Sequence, residues 1–206
     1  MADWSNVRLV VAGAARDIAA FRREAKPFLR LAKGDPQADV PDALSAPDAL
    51  FDPEMLHGEG GDLFEYSFAR LAVGATVQYG FQTARVNEIT HFKKVSRRFP
   101  QLLFVVSWGH TNVQEFGSAL ISRGRAKIRK LSDKKIDETY GKFVPDPEAD
   151  NDETFWQAHD AEENMIDQCA EFWNHEIFQD RSKRRVRIVP AQRPALPRRT
   201  IGGRVR

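Results

Sequence analysis

The sequence predicts an α+β fold in which a four-stranded antiparallel sheet carries two helices on one face. Short segments of alternating apolar and polar residues indicate strands, and two segments with apolar residues three and four apart indicate helices. Their order is strand, helix, strand, strand, helix, strand. With right-handed crossovers, two βαβ halves in this order form a ferredoxin-like plait. The six segments are residues 6–13, 14–33, 63–71, 76–83, 86–99 and 101–108.

The first strand and helix follow from a change in the spacing of apolar residues. Residues 6–13 are rich in valine and leucine, and Gly13 ends the strand. The helix that follows has an apolar stripe that includes Ile18 and Phe21. Because proline lacks a backbone N–H and its ring clashes with the preceding turn, we expect a kink or a break at Pro27.

Two alternating segments, a helix and an apolar strand complete the predicted plait. Residues 63–71 and 76–83 each place apolar side chains on one face, which predicts half-buried strands. Residues 86–99 have helical spacing up to Pro100, and residues 101–108 form the most apolar segment of the chain. The apolar faces of the two alternating strands contain Phe64, Tyr66 and Phe68, and Val77, Tyr79 and Phe81.

The domain also contains an insertion and an extension. Residues 34–62 hold four prolines, eight acidic residues and no lysine or arginine, which is typical of a solvated acidic insertion. We expect either a partly ordered excursion with one short helix at residues 53–57 or a mobile loop. After the plait, residues 116–122 predict one extra strand, and residues 123–130 form a basic stretch.

The C-terminal third divides into an acidic and a basic segment. Residues 133–180 contain 15 acidic residues and three lysines, and helical spacing from Asp152 onwards predicts a long acidic helix. Its apolar stripe must pack against the plait or against a second copy of the helix. Residues 181–206 contain ten basic residues, no acidic residue and three prolines, which predicts an extended arm. Residues 1–132 form the predicted ferredoxin-like domain.

The net charge of the whole chain conceals this arrangement. The 206 residues include 31 basic and 29 acidic ones, for a formal charge of +2. The charge is the sum of +4 for residues 1–132, −12 for residues 133–180 and +10 for residues 181–206. The single cysteine excludes an intrachain disulfide, and no apolar run approaches the roughly 20 residues that span a bilayer. We therefore expect a cytoplasmic protein without a membrane partner.

Three short segments resemble a known family. Asp3-Trp4-Ser5-Asn6 precedes the first strand, and Phe81-Gln82-Thr83-Ala84 ends the third. With Phe99-Pro100-Gln101-Leu102, where the second helix joins the fourth strand, these segments resemble the YubB ferredoxin-like domain family over about residues 3–124. The resemblance implies the same plait and a plasmid, phage or genomic-island context, and it implies no activity, cofactor or catalytic residue.

Several residues have side chains that could carry chemistry. Tyr79-Gly80-Phe81 is similar to the motif with which RNA-recognition domains stack bases, although its alternation favours ordinary core packing. His159 and Glu163 lie four residues apart, as metal ligands can, but no third ligand is specified. Glu171 and His175 form a second such pair. Cys169 lies on an apolar stripe, which indicates a buried structural residue. We therefore predict no catalytic residue, no metal and no cofactor.

The basic arm is the strongest candidate for a binding function. Its uncompensated positive charge predicts an anionic partner, which is the acidic helix of the same or a second chain, another protein, or nucleic acid. The remaining alternative is a solvated tail without a partner. The sequence thus favours a non-enzymatic binding or adaptor protein, with a nucleic-acid-binding accessory protein and an enzyme with a non-local site as alternatives. The predicted anion- or partner-binding residues are Arg181, Lys183, Arg184, Arg185, Arg187, Arg193, Arg198 and Arg199.

Overall fold

A computed structural model describes residues 5–32, 50–51, 63–71, 74–83, 89–110, 115–139 and 152–174. These residues form an α+β structure with a six-stranded antiparallel sheet and four helices. The strands are β1 (Ser5–Gly13), β2 (Phe64–Leu71), β3 (Gly74–Thr83), β4 (Leu103–His110), β5 (Glu115–Ser122) and β6 (Arg125–Lys130). The helices are α1 (Ala15–Ala32), α2 (Ile89–Arg98), α3 (Asp133–Thr139) and α4 (Asp152–Glu171).

The sheet has the strand order β2-β3-β1-β4-β5-β6, and every neighbouring pair is antiparallel. Two strands follow β4 where the sequence analysis predicted one. The basic stretch at residues 123–130 folds back on β5 because Arg123 and Gly124 have positive φ angles of 51° and 77°. Two consecutive residues at positive φ form the tight turn that suits the twist of a hairpin.

Helices cover both faces of the sheet. On one face, the side chains of Leu9 and Val11 from β1 share a buried core with Phe21 of α1 and Phe92 of α2. On the other face, Trp173 just after α4 packs against the buried Val105 of β4. The apolar stripe of α4 therefore packs on the sheet of its own chain, which is one of the two arrangements the sequence allowed.

Phe51 joins three elements of the main core. It lies within the predicted acidic insertion, yet it is buried, and its ring contacts Phe28 of α1 at a centroid distance of 5.5 Å. It also contacts Tyr79 of β3 at 5.7 Å and Phe92 of α2 at 6.3 Å. The neighbouring Leu50 is buried as well, so at least this part of the insertion is packed. The helix predicted at residues 53–57 lies outside the described residues.

Two local details differ from what alternation and spacing alone would give. Helix α1 continues through Pro27, so of the expected kink or break the break does not occur, and its buried face on either side of the proline offsets the lost hydrogen bond. In β2, the register shifts between Glu65 and Ser67, so Phe68 lies on the same face as Glu65 and not opposite to it. The guanidinium of Arg22 holds both, with an ion pair to Glu65 at 2.5 Å and a contact to the Phe68 ring at 4.4 Å.

Candidate nucleic-acid interface

The structure does not place the basic arm, because residues 181–206 lie outside its described part. The eight predicted binding residues from Arg181 to Arg199 therefore remain a prediction from the sequence. The other residues considered for chemistry, apart from His175, do lie within the described part. They are taken first below, before a basic surface that the sequence analysis did not single out.

The aromatic residues of β3 belong to the core. Tyr79 is fully buried and Phe81 is 3% exposed, and both lie beneath α1 and α2. This confirms the prediction of ordinary packing, since neither ring can stack on a base. Burial raises the pKa of the Tyr79 hydroxyl, and the negative charge of Glu65 raises this pKa further.

Cys169 is a buried structural residue, as predicted. It lies in a small apolar cluster with Phe116 of β5, Ile136 of α3 and Met165 of α4. Burial raises the pKa of its thiol to about 12, so the thiol is protonated at neutral pH and is not a nucleophile. Among the described residues, no group of three or more histidine, cysteine, aspartate or glutamate side chains could hold a metal.

The acidic helix α4 is attached to β1 by a polar network. Arg8 of β1 pairs with Glu163 at 2.5 Å and with Asp167, and its own side chain is only 12% exposed. Asn6 of β1 donates a hydrogen bond to Glu162 at 2.9 Å. These three carboxylates fix the orientation of the helix on the sheet.

Two cavities lie beside α4. One has a volume of about 610 Å³ and the other about 280 Å³. The described residues that line them carry mainly carboxylate, amide and hydroxyl groups, with Arg8 as the one cation among them. Asp167 and Glu171 border both cavities. None of the described residues in either lining is a cysteine or a histidine.

A basic surface lies at the edge of the sheet formed by β6, where α2 meets the β5–β6 hairpin. We call it the basic corner and define it as Arg97 of α2, Arg123 of the turn, and Arg125 and Lys127 of β6. All four side chains belong to exposed residues. Within the described part of the chain, none of the four forms an ion pair.

The turn between β5 and β6 is held against α2. The backbone N–H of Gly124 donates to the Ser96 hydroxyl at 2.8 Å, and this hydroxyl donates to the carbonyl of Lys93 at 2.9 Å. Nε of Arg123 donates to the carbonyl of Pro100 at 3.2 Å. Arg97 lies over the turn, since a Cβ added at Gly124 would be 2.4 Å from its Nε. These contacts fix the backbone that carries the basic corner.

Strand β6 alternates basic and apolar residues. Arg125, Lys127 and Arg129 share one face of the sheet, and consecutive members of this row lie about 6.7 Å apart along the strand. Arg129 is occupied, because it donates to the carbonyl of Phe172 at 2.7 Å and lies 4.3 Å from the Trp173 ring. The other two side chains of the row remain available for a ligand.

Residues 123–130 are recognisable in the sequence as a basic stretch, but a net charge summed over residues 1–132 does not show that they belong to a positively charged surface. Residues 89–132 alone contain nine basic residues and one acidic residue, Glu115. Lys130 pairs with Glu115 at 2.8 Å, and Arg98 pairs with Glu24 of α1 at 2.6 Å. A charge count for each element, together with the alternation in residues 125–130, would have identified both β6 and its cations.

A comparison of the chain with protein-family models, curated proteins and solved structures finds no match. No helix in the described part of the chain is both long and apolar enough to cross a membrane.

Proposed function

We propose that this protein is a non-catalytic nucleic-acid-binding accessory protein that uses the basic corner as its rigid binding surface. The observation that carries the proposal is the group of four exposed cations that lack ion pairs within the described part of the chain. Uncompensated arginine and lysine side chains bind phosphates and release the counterions that surround a nucleic acid. Because the turn is already held by hydrogen bonds, little backbone freedom is lost when the ligand binds.

We further infer that the sheet is a ferredoxin-like plait to which β5 and β6 have been added. The order β2-β3-β1-β4 with antiparallel pairs supports this, as do helices α1 and α2 on a single face. The resemblance to the YubB family adds the proposal of a mobile-element context. A cytoplasmic location, where such a protein would meet nucleic acid, is part of the same proposal.

The basic arm has two proposed roles. In the first, its ten cations add a second, extended contact to the nucleic acid bound at the basic corner. In the second, which makes the protein an adaptor or a self-associating protein, the arm pairs with the acidic segment of this or another chain. Asp160 and Glu171 favour this second role, because both are exposed on α4. However, Glu162, Glu163 and Asp167 already contact the sheet.

Neutralising the basic corner tests the first proposal. In the full chain, Arg97→Gln, Arg123→Gln, Arg125→Gln and Lys127→Gln are combined, and binding to a fluorescent nucleic acid is followed by anisotropy. We expect the affinity at 50 mM salt to fall by at least about 30-fold, and the slope of log K against log salt to become shallower by about 3 to 4. Thermal unfolding establishes that the variant remains folded.

A matched variant removes the same number of cations elsewhere. Arg16, Arg23, Lys26 and Arg30 are all exposed on α1, and their replacement by glutamine lowers the net charge equally. We expect this control to change the affinity by only a few-fold. Equal losses in the two variants, or no binding by the natural chain at 50 mM salt, would reject the basic corner as the binding surface.

A further inference from the structure

The described part of the chain offers no exposed aromatic platform near the basic corner. Phe116 is fully buried, and Trp173 is 1% exposed beneath Arg129. The only exposed large apolar residues in the described part are Phe68 and Ile128. Phe68 lies on β2, which is five strand spacings, or about 24 Å, from β6. Proteins that bind single strands without sequence preference rely on aromatic side chains on which the bases stack.

The two faces of the sheet are also closed to bases over the central strands. Helices α1 and α2 cover one face, and α4 covers β1, β4 and β5 on the other. The uncovered part of the α4 side includes Thr76 and Gln78 of β3, which are polar and not aromatic. These two residues therefore provide none of the stacking side chains with which sheet-based RNA-recognition domains bind single strands.

The cations of the basic corner lie on both sides of an edge strand. Arg97 comes from α2, which packs on one face of the sheet, whereas Arg125 and Lys127 point to the face that carries α4. Arg123 lies at the turn between them. A duplex presents a row of phosphates on either side of each groove, and the major groove of B-form DNA is about 12 Å wide. A single strand presents one row only.

We propose that the ligand of the basic corner is double-stranded DNA, bound through its phosphates across a groove and without readout of base sequence. This inference rests on the proposed function and specifies its ligand. Double-stranded RNA fits less well, because its major groove is deep and narrow. Arg97 contacts the phosphates of one strand, and Arg125 and Lys127 contact those of the other.

The test compares four nucleic acids of 20 nucleotides or base pairs with the full chain and with the four-fold glutamine variant of the basic corner. They are two DNA duplexes of unrelated sequence, one of their single strands and an RNA duplex. The readout is the loss of affinity that the four substitutions cause for each ligand, because this difference isolates the basic corner from the arm. The α1 variant, with its equal loss of charge, is the control.

We expect the substitutions to lower the affinity for each DNA duplex by at least about 30-fold, and the two losses to agree within about twofold. The loss for the single strand and for the RNA duplex should be smaller by about tenfold. An equal or larger loss for the single strand or the RNA duplex would overturn the inference while leaving nucleic-acid binding intact. So would a preference of 1,000-fold or more for one duplex sequence, which is the range of specific binding. Absence of binding to all four ligands would instead refute the proposed function.

Discussion

At the scale of single residues, buried polar groups hold the end of α4 on the sheet. Ser118 of β5 is completely buried, and its hydroxyl donates to the carbonyl of Cys169 at 2.6 Å. The same hydroxyl accepts a hydrogen bond from the indole N–H of Trp173 at 2.7 Å. This serine thereby satisfies the buried indole N–H of Trp173, which would otherwise lack a partner at a cost of about 1 to 3 kcal/mol.

The thiol of Cys169 makes stability depend on alkaline pH. Its pKa is about 12 in the folded protein against an ordinary value of 9.0, so the unfolded chain loses this proton first as the pH rises. The free energy of unfolding should fall between pH 9 and 12, by on the order of 1 kcal/mol per pH unit. Urea denaturation at pH 8, 9 and 10 measures this decline.

The variant Cys169→Ala should be less stable at pH 8 because it leaves a small cavity, but it should lose much of the decline between pH 9 and 10. Tyr79→Phe serves as the control. The pKa of Tyr79 is also raised from its ordinary value of 10.0, so this residue lowers the free energy of unfolding only above about pH 10, and the Tyr79→Phe protein should keep the decline between pH 9 and 10. A Cys169→Ala protein that retains the full decline would show that another group is responsible.

At the scale of elements, the β5–β6 hairpin and α2 form one unit. Gly124 has a φ of 77°, and an added Cβ would lie 2.4 Å from Nε of Arg97. We expect Gly124→Ala to lower the free energy of unfolding by about 1 to 3 kcal/mol and to weaken DNA binding, because Arg97 must move.

A double-mutant cycle separates strain in the backbone from the collision with Arg97. Replacing Arg97 with alanine removes the three side-chain atoms that would lie nearest to the new methyl group. Gly124→Ala should therefore cost about 1 kcal/mol less in an Arg97→Ala background than in the natural protein, as measured by urea denaturation. Equal costs in the two backgrounds would contradict the close packing of Arg97 on the turn.

Alternation and helical spacing predicted most elements of the described structure, but they could not predict local irregularities. Val77, Tyr79 and Phe81 lie on the buried face that the period of two indicated. The bulge before Ser67 shifts the alternation of inward and outward side chains by one residue, and the composition of β2 does not predict it. Strand β6 has a clear alternation, but Arg123 is an unusual residue at positive φ, so the turn that creates the strand was not recognised.

At the scale of the whole molecule, positive and negative charges are separated more sharply than the net charges of residues 1–132, 133–180 and 181–206 imply. The second half of the domain carries eight net positive charges over residues 89–132, whereas the helix on the sheet is acidic. No sequence pattern could foresee which cations would remain unpaired, because Arg8, Arg98 and Arg129 find their partners only through the fold. The sequence therefore shows that residues 89–132 carry a surplus of positive charge, but only the fold shows which of these cations lie together without an ion pair among the described residues.

Deleting the arm distinguishes its two proposed roles at this scale. If the arm contacts DNA and not the acidic segment, a chain that ends at Gln179 should keep its free energy of unfolding within about 0.5 kcal/mol. Its affinity for duplex DNA should fall by at least about tenfold at 100 mM salt. Denaturation and anisotropy measure the two quantities.

The control for this deletion is a full-length chain in which the ten cations of residues 181–206 are replaced by glutamine. It should behave as the shortened chain does if charge is the cause. If the arm instead pairs with the acidic segment, removal of its charge should lower the free energy of unfolding, because the carboxylates of that segment would lose their cationic partners.

The burial of Phe51 changes how the acidic insertion contributes to folding. Leu50 and Phe51 fix the chain in the core at a second point between α1 and β2. The entropy of closing a loop rises with the logarithm of its length, at about 0.6 kcal/mol for each doubling. The aromatic contacts of Phe51 with α1, β3 and α2 must therefore offset the cost of closing the chain twice where a single connection would close it once.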